Sequence, residues 1–361
     1  MTGPSRFSAR RVIVLLVKAS VSIALLVWLF RRVGWRAVQA ELATADPWML
    51  AAYVGVSLVA TALSAAKWRA LAASLEMPER FSRMMLLYLV GYFFNNVLPS
   101  SVGGDVVRSY ELGRRHDRLA DATASVFMER FTGFTVLLGW AAVAAAVRPS
   151  FMADPRILAG AGIAVGGYLV LAFAVFHRPA LEAVRARLRV PVMAGLLRRA
   201  SSLQDAILRY RTRPRAIAEA FGWSAAFYLV TVFVTLAGCL TFGAAPRLAD
   251  LFVAVPVMLL LFSVPISIGG IGLQEWAFFA VLTRIGVPAP AALSLGLVFR
   301  VRNIVLGLAG GALYTMLGVA LPPASSVSPA AQPPRPPQPA AYPPSRLTTQ
   351  PPTRRAAPPT P

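Results

Sequence analysis

Long apolar runs alternate with short basic segments along most of this chain. A helix needs about 20 apolar residues to cross roughly 30 Å of hydrocarbon, and six of the runs are at least close to that length. The six predicted spans are residues 12–30, 47–66, 122–147, 157–176, 216–242 and 291–321. The pattern therefore predicts an all-α, polytopic helical membrane protein. At the end of the second run, Lys67, Trp68 and Arg69 are interpreted as an anchor in the headgroup zone.

Two other apolar runs, starting near Met84 and Leu251, are interrupted by the same pattern, Pro-x-Ser-(Val/Ile)-Gly-Gly, at residues 99–104 and 265–270. Proline removes a backbone donor, and unpaired backbone groups cost several kcal/mol in hydrocarbon, so non-helical chain is tolerated only inside protein or beside water. We predict that each segment forms a re-entrant hairpin. The alternative is that both are ordinary Pro/Gly kinks.

The two interrupted segments form a repeat. A carboxylate follows each one, Asp105 or Glu275, and an arginine follows later: Arg130 lies 31 residues after the first proline and Arg300 lies 35 after the second. Paired, Gly/Pro-interrupted segments in two halves of a membrane protein point to a transport site at the repeat interface. We therefore predict about six full spans plus two re-entrant hairpins in an inverted repeat, with the hairpins entering from opposite faces.

Arginine distribution predicts the orientation. Residues 178–215 contain ten arginines and two acidic residues, which favours a cytoplasmic position. With both hairpins turning back, this loop, residues 67–83, residues 113–121 and both termini lie on the cytoplasmic side of the membrane. Only the arginines of residues 31–36 depart from the bias. Apolar residues recur with helical period on both sides of Pro191, which predicts basic amphipathic helices in the interface, with partner docking as the alternative.

Composition agrees with a membrane protein: 57% of residues are hydrophobic and 14% are charged. The net charge of +21 lies mostly in arginines beside apolar runs, so it indicates anionic lipid and not nucleic acid as the partner. One cysteine and two histidines without ligand spacing predict no metal site and no cofactor. No hydrolase or zinc-enzyme motif occurs, which favours a transporter over an enzyme and leaves no catalytic residue to assign.

The final segment differs in character from residues 1–321. Fifteen of the forty residues in 322–361 are proline. Such a composition predicts a disordered cytoplasmic tail with polyproline-II character, available to a partner protein.

Eight charged residues fall in the predicted membrane region. The carboxylates are Asp105, Glu111, Glu129 and Glu275, and the arginines are Arg108, Arg130, Arg300 and Arg302. Because each charge costs roughly 2.5–3.5 kcal/mol at a helix centre, they must be paired or hydrated. We predict a polar groove in which arginines and free helix N-termini after Gly-Gly bind an anionic headgroup while carboxylates orient the arginines. Internal salt bridges between the halves are the alternative. The predicted substrate-binding residues are Asn96, Ser101, Gly103, Gly104, Asp105, Arg108, Glu129, Arg130, Ser267, Gly269, Gly270, Glu275 and Arg300.

Three motifs resemble the transmembrane domain family named after lysylphosphatidylglycerol synthase, which is also described as flippase-like. They are Pro99-x-x-x-Gly-Gly-Asp-x-x-Arg-x-Tyr, Glu129-Arg130, and Pro265-x-Ser-x-Gly-Gly-x-Gly-x-Gln-Glu. The resemblance covers roughly residues 10–320. It implies lipid translocation, and because a Pro-rich tail stands where fused members have their soluble synthase domain, it does not imply aminoacyl transfer.

We therefore expect a protein that flips an anionic phospholipid or lipid-linked intermediate across the cytoplasmic membrane. The alternative is a membrane-embedded glycosyl or acyl transferase with a polyprenyl-phosphate donor, which needs a carboxylate free to act as general base. A third interpretation is a non-catalytic subunit that acts through its Pro-rich tail.

Overall fold

A computed structural model describes residues 9–98, 102–149, 153–177, 191–264 and 266–316. Within these ranges the prediction of an all-α fold is confirmed: the regular structure consists of helices, with no strand. The α-helices are α1 (Ala9–Val33), α2 (Trp35–Ala43), α3 (Pro47–Ser74), α4 (Phe81–Val97), α5 (Gly103–His116), α6 (Leu119–Val147), α7 (Pro155–Phe176), α8 (Pro191–Leu208), α9 (Pro214–Thr241), α10 (Leu248–Phe262), α11 (Leu273–Leu282) and α12 (Ala289–Met316). The predicted tail, 322–361, lies outside the described residues.

Five helices of the described chain are long and apolar enough to cross a membrane: α3, α6, α7, α9 and α12. Each covers one of the predicted spans, and α1, with 25 residues, covers the remaining one. The chain is therefore a multi-pass membrane protein. By contrast, α10 and α11 have 15 and 10 residues, too few for either to be a full span.

Local sequence fixes where two of the spans begin. The Asp46 carboxylate accepts hydrogen bonds from the backbone N–H groups of Trp48 at 2.8 Å and Met49 at 3.2 Å, which caps α3. In the same way Asp154 caps α7 by accepting from the Arg156 N–H at 2.8 Å. A proline occupies the first helical position in both cases, where its missing N–H costs nothing.

The first hairpin consists of α4 and α5, which run antiparallel. Near the tip, the backbone N–H of Gly104 donates to Asn95 Oδ1 at 2.8 Å, and at the open end Arg115 pairs with Glu79 at 2.8 Å. A Cβ atom on Gly104 would lie 2.1 Å from the carbonyl oxygen of Gly91, so the two helices touch backbone to backbone. The chain between them, residues 99–101, lies outside the described residues.

The second hairpin consists of α10 and α11. A 3₁₀ turn, Thr283–Ile285, follows α11 and contacts α10, which brings the outer ends of the hairpin together. At the tip, Gly269, Gly270 and Gly272 have φ angles of 56°, 75° and 80°. Side chains with a Cβ rarely adopt this left-handed region, so this second turn requires Gly269 and Gly270 of the pattern.

The two hairpins enter from opposite ends of α6. Beside the first residue of α6 and the open end of the first hairpin, Glu76 pairs with Arg118 at 3.2 Å and Arg213 at 3.5 Å. Beyond the last residue of α6, Arg148 pairs with Asp250 of α10 at 2.6 Å. This arrangement is the inverted placement of hairpins that the sequence predicts.

The basic segment before α9 packs partly on the membrane domain. In the second half of α8, Ala206 and Ile207 are buried in a core shared with α6, and the Gln204 side chain donates to the Val175 carbonyl of α7 at 2.9 Å. This half of the predicted interfacial segment is therefore covered by protein. The first half of that segment, residues 178–190, lies outside the described residues.

Candidate functional site: a basic cavity between the two hairpins

A cavity of about 400 Å³ lies where the tips of both hairpins meet α3, α6, α9 and α12. Seven of the predicted binding residues line it: Asn96, Asp105, Arg130, Ser267, Gly269, Gly270 and Arg300. Five others are not among the lining residues: Gly103, Gly104, Arg108, Glu129 and Glu275. Ser101 lies outside the described residues. The predicted set thus divides into a cavity surface and groups that support it.

Asp105 organises the wall that belongs to the first hairpin. Its carboxylate accepts from Arg130 Nε at 3.0 Å and Nη2 at 2.8 Å, and from Arg108 Nε at 3.1 Å and Nη2 at 2.8 Å. The two arginines differ in access, because the Arg130 side chain is 56% exposed and that of Arg108 only 2%. Arg130 therefore presents the guanidinium that a ligand in the cavity can reach.

Arg108 belongs to a buried layer behind Asp105. Its Nη1 lies 2.7 Å from Glu129 Oε2, and the Tyr88 hydroxyl donates to the other oxygen of Glu129. The Arg108 guanidinium also lies 4.9 Å from the ring centroid of Trp68 and 4.5 Å from that of Tyr88. A cation enclosed by two carboxylates and two aromatic faces is held in one orientation. Arg108 and Glu129 are positioning residues for Asp105.

Lys67 belongs to the same buried layer behind Asp105, although the sequence analysis predicted it in the headgroup zone. It is 7% exposed, and its ammonium donates to the Glu129 carbonyl at 2.8 Å and to Ser224 Oγ at 3.2 Å. Trp68 is fully buried. The prediction of a headgroup anchor at these residues is therefore wrong: α3 continues to Ser74, so both side chains lie inside the bundle.

Glu275 and Arg300 form the corresponding wall at the second hairpin. The Arg300 Nε donates to Glu275 Oε1, and its Nη2 donates to Glu275 Oε2 at 3.1 Å, Gly270 O at 3.0 Å and Gln274 Oε1 at 3.2 Å. Glu275 is fully buried, and it also accepts from the Gly272 N–H at 2.8 Å. The arginine thus ties α12 to the hairpin tip.

One backbone N–H group at or just after each Gly-Gly is occupied by protein. Asn95 accepts from Gly104, and Glu275 accepts from Gly272. The prediction that these helix starts offer free donors to a phosphate is wrong for these two N–H groups.

Arg302 is a cavity residue that the predicted site omitted. Its Nη2 donates to Asn303 Oδ1 at 2.7 Å, and its guanidinium lies 4.6 Å from the ring centroid of Phe299. No carboxylate pairs with it within the described parts of the chain. The available signal was its place two residues after Arg300, but it has no counterpart in the first half of the repeat.

Apolar side chains make up much of the rest of the cavity lining. They come mainly from α9, α10, α11 and the start of α12, and they include Phe227, Val234, Leu259, Phe262, Phe278 and Leu295. The site is therefore amphipathic, because guanidinium groups and hydrocarbon side chains line the same cavity.

A family model described as the lysylphosphatidylglycerol synthase TM region matches residues 15–311. The chain belongs to this family. The match includes both hairpins and every charged residue of the cavity, which confirms the resemblance of the three motifs. No curated protein and no solved structure matched the chain.

In this member of the lysylphosphatidylglycerol synthase TM region family, a groove of about 420 Å³ lies beside the second hairpin, between α1, α7, α10 and α11. Its lining includes Leu25, Trp28, Ile163 and Trp276, with Arg156 at one end. Val264, just before the tip of the hairpin, lines both the groove and the cavity. The cavity and the groove therefore adjoin at Val264.

Proposed function

We propose that this protein translocates an anionic phospholipid or lipid-linked intermediate across the cytoplasmic membrane through the cavity between its hairpins. The observation that carries the proposal is the composition of the cavity: its lining includes three arginines and one carboxylate, Asp105, together with many apolar side chains. A molecule with a phosphate head and hydrocarbon chains matches both groups of residues.

The charge arrangement suits a phosphate that enters and leaves. Guanidinium groups bind phosphate oxygens through paired hydrogen bonds, and these bonds are stronger away from bulk water. Asp105 and Glu275 hold Arg130 and Arg300 in fixed orientations while leaving part of each guanidinium exposed, 56% and 20% of the two side chains. An arginine already paired with a carboxylate binds a phosphate less tightly than an unpaired one, which favours release.

The hairpin geometry supports movement between the two leaflets. Because the hairpins enter from opposite ends of α6, their tips place the cavity between the two faces of the protein. Rocking one half against the other would open the cavity alternately to each face, as in transporters with inverted repeats. The groove beside Val264 offers acyl chains a path along the protein surface.

The basic end of the bundle defines the proposed orientation. The end that carries Arg118, Arg209 and Arg213 is rich in arginine, so we assign it and both termini to the cytoplasmic side.

A transferase finds less support in this site. A general base must reach its substrate and be free to take up a proton, yet Asp105 is ion-paired with two arginines, and Glu275 is fully buried and paired with Arg300. Product formation from a polyprenyl-phosphate sugar or an acyl donor by the purified protein would overturn this assignment.

The proposal is tested by following fluorescent phosphatidylglycerol in proteoliposomes with a quencher that reaches only the outer leaflet. Wild-type protein is expected to expose the inner-leaflet pool, and Arg130→Gln to slow this exchange at least about tenfold. Arg211→Gln, a change at an exposed arginine of the basic end, is the matched control and should exchange lipid at the wild-type rate. Absence of exchange with the wild type, or equal rates for all three proteins, would contradict the proposal.

A further inference from the structure

Three polar atoms in the cavity wall have no hydrogen-bond partner within the described residues: Tyr53 Oη, Ser267 Oγ and Arg302 Nε. Tyr53 and Ser267 are 1% and 8% exposed. Buried polar groups are normally satisfied, because an unpaired one costs about 1–3 kcal/mol. These three atoms are therefore the groups of the cavity wall that a ligand could satisfy.

One arginine of the cavity wall has no carboxylate partner. Asp105 pairs with Arg130, and Glu275, just behind the lining, pairs with Arg300. Arg108 pairs with both Asp105 and Glu129, and Lys67 lies farther back, outside the lining. Arg302 is therefore the lining arginine without a carboxylate partner in the described chain, and it is the cation left to bind an anion.

We propose that the cavity selects a lipid with a single phosphodiester charge and an uncharged, hydroxyl-bearing headgroup. This inference rests on the proposed translocation function and names the substrate class of the same site. The Arg302 guanidinium binds the phosphodiester, and the hydroxyls of Tyr53 and Ser267 bind the hydroxyls of the headgroup.

The position of Arg302 supports this division of roles. Its guanidinium lies 5.6 Å from the ring centroid of Tyr53, so the cation and the tyrosine hydroxyl are neighbours on one wall. Phosphate and the first headgroup hydroxyl are similarly close in a glycerol or sugar phosphodiester. A headgroup with an amino group brings a second positive charge near Arg302, and no unpaired carboxylate lines the described part of the cavity to receive it.

The test compares three fluorescent lipids with the same acyl chains in the same proteoliposomes. Phosphatidylglycerol has the single charge and the hydroxyls, phosphatidylmethanol has the charge without hydroxyls, and phosphatidylethanolamine is zwitterionic. Wild-type protein is expected to exchange phosphatidylglycerol several-fold faster than phosphatidylmethanol, and phosphatidylethanolamine slowest. Equal rates for the three lipids would overturn the inference and leave translocation intact, whereas no exchange of any lipid would overturn both.

Two variants assign the roles. Tyr53→Phe should lower the phosphatidylglycerol rate towards that of phosphatidylmethanol without altering the latter, because the Ser267 hydroxyl remains. Arg302→Gln should slow both monoanionic lipids about tenfold and abolish their advantage over phosphatidylethanolamine. An unchanged order of the three lipids in both folded variants would contradict the assignment, and if a variant fails to fold, the wild-type comparison still decides.

Discussion

Arg130 donates two hydrogen bonds to Asp105, at 3.0 and 2.8 Å, from a position 25 residues farther along the chain. Arg300 binds Glu275 across the same separation of 25 residues. In each half, a carboxylate near the start of the second hairpin helix meets an arginine on the next long helix. The repeat of the sequence is therefore also a repeat of contacts, and the two copies face one cavity.

Arg108 and Arg130 should differ in their effect on stability. Removing Arg108 leaves the buried Glu129 without its ion-pair partner, which typically costs 3–5 kcal/mol. We expect Arg108→Ala to lower the free energy of unfolding by about that amount and Arg130→Ala by about 1 kcal/mol, because Arg130 is half exposed and Arg108 still satisfies Asp105. Unfolding in mixed micelles measures both. Equal losses would contradict the division into supporting and ligand-binding arginines.

Gly104 should tolerate no side chain. Its Cβ would lie 2.1 Å from the Gly91 carbonyl oxygen, so Gly104→Ala must push α5 away from α4, at a cost of about 1–3 kcal/mol. Gly139, within α6, is the matched control because a Cβ there meets nothing within 4 Å. Gly139→Ala is expected to leave stability unchanged or raise it slightly, since alanine favours helix. If Gly104→Ala changed the free energy of unfolding as little as Gly139→Ala, the hairpin would not need this close contact.

Asp154 gives the loop before α7 a defined pH dependence. The hydrogen bond from the Arg156 N–H, followed by that from Arg284, holds the pKa of Asp154 below its ordinary value of 3.8. In the unfolded chain the carboxylate binds a proton more readily, so its contribution to stability is fully present above about pH 4 and is lost as the pH falls through the lower, folded value. Wild type and Asp154→Ala should therefore differ in melting temperature at pH 7 and converge in acid. A constant difference between pH 7 and pH 3 would contradict this account.

Cysteine labelling tests the orientation of the bundle. The chain has one natural cysteine, the buried Cys239, so Cys239→Ser provides a background without natural thiols. Arg211→Cys, on the basic end, should not react with a membrane-impermeant thiol reagent in intact cells. Arg247→Cys, before α10, should react with it. Both positions are exposed in the structure. The reverse result would invert the assigned topology.

Sequence alone predicted the parts of the fold that depend on local chemistry. The Pro-x-Ser-x-Gly-Gly pattern located both hairpins, because Gly269 and Gly270 need positive φ angles at the second tip and Gly104 allows the close contact with Gly91 in the first hairpin. Apolar run length located the spans. Which charged side chains are buried could not be predicted from the sequence. Arg108 and Arg130 are both arginines in apolar surroundings, and only the packing of α3 and α4 encloses the first. Arg302 was counted among the arginines of the membrane region but omitted from the predicted site, since the first half of the repeat has no arginine at the corresponding position.

The measurement that tests the central claim most directly is a block of the cavity itself. Thr231 of α9 lines the cavity, whereas Leu229, on the same helix, is 47% exposed on the outer surface of the bundle and is not among the lining residues. In the Cys239→Ser background, a bulky thiol reagent on Thr231→Cys should stop the exchange of phosphatidylglycerol, and the same reagent on Leu229→Cys should leave it unchanged. Undiminished exchange in fully labelled Thr231→Cys protein would show that the lipid does not pass between the hairpins.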